Sequence, residues 1–179
     1  EPRHFEPAAK PRGVGEHPHR GFETVTIVYA GELEHRDSSG GGGRIGPGDV
    51  QWMTAAGGLV HEEFHSRAFT ARGGLMEMAQ LWVNLPATLK MSEPRYQEFA
   101  PERLPGVHPV GGVTVKVIAG EVADADGTPV RGPIVQPATD PLSLDLDFAP
   151  GAAWFFDLPA GHNAFVYVYE GAVSAGEGD

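Results

Sequence analysis

The sequence contains no cysteine, so it can carry neither a disulfide framework nor a metal held on thiolates. Positive charge is also scarce: 13 Lys and Arg stand against 24 Asp and Glu, a net charge of −11. Such a surface repels phosphate backbones and anionic lipid, which argues against direct contact with nucleic acid or a membrane surface. No apolar run reaches the length of a transmembrane helix, and no charged-then-apolar leader opens the chain. Together these absences lead us to expect a cytoplasmic protein. The chain opens at Glu1 rather than at methionine, and a longer parent protein is expected.

Glycine (25) and proline (16) are plentiful and scattered between short apolar runs, which suits many short strands joined by tight turns. Thr24 to Tyr29 is a β-branched run closed by Ala30-Gly31, and Glu32 to His35 is expected to be its partner strand. Ser38 to Gly43 reads as a glycine-rich hairpin loop; without a following Gly-Lys-Ser/Thr it is no phosphate cradle. Further strands are expected at Val50–Thr54, Leu59–Phe64 and Met76–Leu85. A short helix or ordered linker is expected within Ser92–Leu104, flanked by Pro94, Pro101 and Pro105. The second half restarts with Val113–Ile118 and continues with Leu142, Leu144, Leu146 and Phe148 alternating with Ser143, Asp145 and Asp147, a half-buried strand by period two.

An internal repeat is visible at an offset of 140 residues, where Thr24–Gly31 matches Ala164–Gly171 in shape. It points to two barrels in tandem, the second incomplete. Domains are therefore expected at 1–104 and 105–179. The same offset sets Asp157, Pro159 and Asn163 where His17, His19 and Glu23 stand, so ligands are expected in the first barrel alone.

Histidines carry the chemical signal. In extended chain alternate side chains share a face, so His17 and His19 point the same way, as do His61 and Glu63, with Glu62 opposite. Two such pairs on different strands of a closed barrel can converge on one ion. Imidazoles with one carboxylate suit Fe(II), Mn(II), Zn, Ni or Cu(II). His65 shares the face of His61 but lies further along, at the rim. Gln51, Gln80 and Asn84 are candidates for orienting the ligands' free ring nitrogens, and Trp52, Met53, Phe64 and Trp82 are either core or pocket lining.

The runs His17–Val25, Gly46–Ala55, His61–Glu63 and Gln80–Pro86 together closely resemble the pirin family of bicupins. That resemblance implies an all-β fold: a jelly-roll-like cupin β-barrel, followed by the opening strands of a second cupin whose carboxy-terminal part is missing. It implies one metal ion, most often Fe(II), on His17, His19, His61 and Glu63. General cupins draw their carboxylate from the position of Glu23; the pirin pattern favours Glu63 and leaves Glu23 as an alternative or supporting group. The activity implied is a quercetin 2,3-dioxygenase type, which takes a small aromatic substrate and O2, opens a flavonol's central ring and releases carbon monoxide. Swung away from the metal, Glu63 would also be a candidate acceptor for the substrate's hydroxyl proton. The alternative implied is a non-enzymatic regulator that senses metal or redox state and acts through a protein partner.

Overall fold

A computed structural model describes residues 2–136 and 139–176 of the chain. The first half is two facing antiparallel sheets. One contains β1 (Arg3–Phe5), β3 (Phe22–Ala30), β6 (Val50–Thr54), β8 (Gly74–Asn84) and β9 (Arg95–Phe99), in the order β1-β8-β3-β6-β9. The other contains β2 (Gly13–His19), β4 (Leu33–Asp37), β5 (Gly42–Ile45) and β7 (Leu59–His65), in the order β2-β7-β4-β5. This is the expected cupin architecture.

From β1 to β4 the chain alternates between the sheets, and this corrects one expectation. β3 and β4 are not partners: β3 pairs with β6 and β8, and β4 with β5 and β7. The turn at Gly31, with φ of +90°, carries the chain across from one sheet to the other, a backbone conformation that glycine adopts without steric cost. The glycine-rich segment is the β4–β5 hairpin, as expected.

Two further corrections concern the helix content. The segment expected to hold a helix contains the edge strand β9 and a 3-10 turn at Pro101–Arg103. Tyr96 and Glu98 there alternate with Gln97 and Phe99, and pairing with β6 along its whole length decides the outcome. A short helix, α1 (Arg67–Arg72), arises where none was expected. Ser66 caps it by accepting from the amide of Phe69 at 3.0 Å, and Phe69 packs with Val28, Leu33, Ile45 and Met76 at one end of the barrel.

The second half forms two small sheets from β10 (Gly106–Val107), β11 (Val113–Ala119), β12 (Glu121–Ala123), β13 (Pro129–Arg131) and β14 (Ser143–Phe148), ordered β10-β11-β14 and β12-β13. Residues 152–176, including the Ala164–Gly171 half of the repeat, carry no helix or strand. The repeated motif thus lacks the sheet partners that make Thr24–Gly31 a strand. Among the described residues no helix is long and apolar enough to cross a membrane.

β3 organises the whole. Its odd positions Val25 and Ile27 face outward and pack with Val50 and Trp52 of β6 against Leu104, Ile118, Ala119 and Ile134. Its even positions face the barrel interior, where Thr26 is flanked by Gln80 and Gln51, and Gln51 in turn by Glu98. A row of polar side chains therefore lines the inside, while the outside of the same sheet is apolar core.

Candidate metal centre

β2 and β7 lie side by side and antiparallel, with His17 directly opposite His61. A register shift between Val14 and His17 re-aims the end of β2, the ordinary effect of a bulge. His17, His19 and His61 converge, each offering a ring nitrogen within 4.8 Å of the others. The Nε2 atoms of His17 and His19 are 3.1 Å apart. Nδ1 of His17 lies 2.8 Å from the Gly15 carbonyl, which accepts its proton and leaves the Nε2 lone pair directed at the cluster.

The rings of His19 and His61 are held neutral. Burial lowers His19 to about 4, aided by the nearby rings of His61 and His17. Burial likewise lowers His61 to about 4, aided by His17 and His35. Neutral imidazole is the form that donates a lone pair to a metal. Both ring nitrogens of His61 are buried with no hydrogen-bond partner. A cluster of three nitrogen donors, one of them bare, fits a borderline divalent ion.

Glu63 stands beside this triad, its Oε2 3.9 Å from His61 Nε2. Its carboxylate accepts from the Gln80 amide at 3.3 and 3.4 Å, and Gln80 also donates to Thr26 at 3.1 Å. Glu23 lies on the other face of β3. Its buried Oε1 accepts from Thr54 at 2.6 Å and from Gln136 at 2.7 Å, so it ties the first barrel to the second half and does not reach the histidines. His65 is buried away from the cluster, edge-on to Phe5 and Phe69. None of the three amides expected to orient ligand rings does so. Gln80 holds Glu63, Gln51 serves His35 and Glu98, and Asn84 accepts from Lys90 at 2.6 Å.

The aromatic candidates separate equally clearly. Trp52 and Met53 are buried core. Trp82 is 65% exposed; it stacks on Phe22 with ring centroids 4.6 Å apart and meets His19 edge-on at 5.4 Å. It forms an open aromatic wall beside the centre.

One group escaped the sequence reading altogether. His35 lies 3% exposed inside the barrel, its Nε2 3.0 Å from Glu98 Oε1, and the Gln51 amide nitrogen is 2.7 Å from each. The signal available was alternation, which sets His35 and Asp37 on one face of β4.

The chain is similar to known proteins over most of its length. The family model described as Pirin matches residues 1–83. A Pseudomonas aeruginosa protein provisionally named as a quercetin 2,3-dioxygenase is 49% identical over 178 residues, 98% of this chain and 60% of that protein. The human protein named Pirin is 40% identical over 171 residues, 95% of this chain and 55% of that one. A crystal structure of quercetin 2,3-dioxygenase from Acinetobacter baumannii, 52% identical, matches with a TM-score of 0.70 over 76% of this chain and 46% of that chain. The chain thus spans about three-fifths or less of the length of these relatives. By its amino-terminal barrel, with the histidine cluster at its mouth, this chain belongs to the pirin family.

Proposed function

We propose that residues 1–104 form the metal-binding domain of a dioxygenase acting on quercetin-like flavonols, with His17, His19, His61 and Glu63 holding one divalent ion, Fe(II) in preference to Mn, Ni, Cu or Zn. The observation that carries this reading is the convergence of three ring nitrogens within 4.8 Å, in an environment that keeps His19 and His61 uncharged. When bound, such an ion supplies open positions at which O2 and a chelating substrate meet.

The chain's own residues do the rest. Trp82, exposed and stacked on Phe22, offers a flat face to a planar ring system, a contact worth roughly 0.5–1.5 kcal/mol beyond its buried area. Gln80 holds the Glu63 carboxylate at the edge of the cluster, with the side chain 14% exposed, where it is available as the base for the flavonol hydroxyl proton. The relatives named for quercetin 2,3-dioxygenase support the substrate class.

The test uses the full-length protein loaded anaerobically with Fe(II) and mixed with quercetin, then with O2. The expected result is loss of flavonol absorbance with release of carbon monoxide, abolished by His61→Ala. Unchanged flavonol in a sample carrying one bound ion per chain would sink the activity. Failure to retain any divalent ion would sink the site.

A further inference from the structure

The far nitrogens of His17 and His61 are treated differently. That of His17 meets the Gly15 carbonyl, whereas Nδ1 of His61 is buried and bare, in a ring only 1% exposed. Leaving such a group unpaired costs about 1–3 kcal/mol. Histidines that ligate metals ordinarily donate this second N–H to a carboxylate, carbonyl or water.

The four-stranded sheet identifies the neighbour. Asp37 on β4 is the direct cross-strand partner of His61, and such partners share a face with Cβ atoms roughly 5 Å apart. Asp37 is anchored at the mouth of the glycine hairpin. Its Oδ1 accepts from the amides of Ser39 at 2.7 Å and Gly41 at 3.1 Å, and from the Ser39 hydroxyl. Its other oxygen, Oδ2, is buried without a partner. A third bare group is the buried hydroxyl of Tyr96, reaching in from the facing sheet. Burial, then the charge of Asp37 and the near approach of its carboxylate to hydrogen-bonding range, push this phenol up; no direct bond closes between them, and the two groups are neighbours. The charge of Asp37 also acts on His61.

We propose that Asp37 is the positioning residue for His61: its Oδ2 accepts the Nδ1–H hydrogen bond through one shared water that the Tyr96 hydroxyl also binds, so that Nε2 is presented to the metal. Three polar partners is an ordinary complement for a buried water. The inference rests on His61 being a ligand and extends the centre to β4, a strand that contributes no ligand itself. It gives the hairpin a purpose: the turn that fixes Oδ1 also fixes the orientation of the whole Asp37 carboxylate, Oδ2 included.

The first measurement needs no metal. In the apo-protein at neutral pH, nitrogen-15 NMR of the imidazole rings reads the tautomer of His61. Wild type is expected to carry the proton on Nδ1, and Asp37→Asn, which turns a donor toward the histidine, to shift it toward Nε2. A wild-type ring protonated on Nε2 would overturn the proposal. The second measurement is Co(II) affinity by chelator competition, expected to fall about ten- to hundredfold in Asp37→Asn. Ser39→Ala loosens the hairpin without touching Oδ2 and is expected to stay within about twofold of wild type, below the range typical of lost outer-shell partners. Equal losses in the two variants would assign the effect to the hairpin and overturn the proposal. Wild-type protein that shows the Nδ1–H tautomer but binds no Co(II) would instead refute the metal reading, while supporting the link between Asp37 and His61.

Discussion

Glu23 and Glu63 show how far a single residue's meaning depends on which way it faces. Each lies near a histidine motif in sequence, yet β3 turns Glu23 toward Thr54 and Gln136 while Gln80 holds Glu63 beside His61. Glu23→Ala should therefore leave metal content by mass spectrometry unchanged, while lowering stability to urea by about 1–3 kcal/mol as Thr54 and Gln136 lose their buried acceptor. Loss of the metal would return Glu23 to the ligand set. The histidines make a second prediction, on pH. In the apo-protein His19 and His61 are held at about 4 instead of 6.5, first by burial and then by neighbouring rings. The unfolded chain thus takes up these protons first as pH falls. Stability is whole above 6.5 and drains away toward 4. Urea midpoints should decline through that window in wild type and more gently in His61→Ala; parallel slopes would contradict the assignment. The converging histidines were legible because alternation alone puts His17 with His19, and it likewise sets Glu63 beside His61. The side taken by Glu23 was not, because β3 is buried on both faces and its pattern names neither as the interior.

At the scale of elements, β6 and β7 were readable, β2 was seen only as extended chain before the first strand, and the strand partners were not readable. Val50–Thr54 and Leu59–His65 carry β-branched or alternating residues between glycine turns, signals that lie within a few residues. The pairing of β4 with β7 and the strand state of β9 depend on neighbours distant in the chain. β9 shows the consequence, since prolines on either side of Arg95–Phe99 suggest a helix or linker until β6 supplies the ladder. Once formed, β9 delivers Glu98 to His35 and Gln51. Glu98→Ala should destabilise the fold by about 1–3 kcal/mol, since two buried groups lose their acceptor. Metal affinity should be unchanged, because Glu98 does not touch the three ring nitrogens. A fall in affinity without a fall in the urea midpoint would show that His35 belongs to the centre.

At the scale of the whole molecule, the five-stranded sheet is polar where it faces the barrel interior and apolar where it meets the second half. Val25, Ile27, Val50 and Trp52 lie beneath Leu104, Ile118, Ala119 and Ile134. A chain cut after residue 104 should expose this face and lose stability to urea relative to the chain that keeps residues 105–136; an unchanged urea midpoint would mean that the barrel stands alone. The same feature bears on the order of events at the ribosome. A nascent chain that has emerged as far as β9 already holds every side chain proposed for the ion, yet it presents a wet inside and a greasy outside. Until β11 and Ile134 arrive, it is an inside-out particle that invites chaperones or its own siblings, so here the metal centre can be assembled before the protein is safe from aggregation.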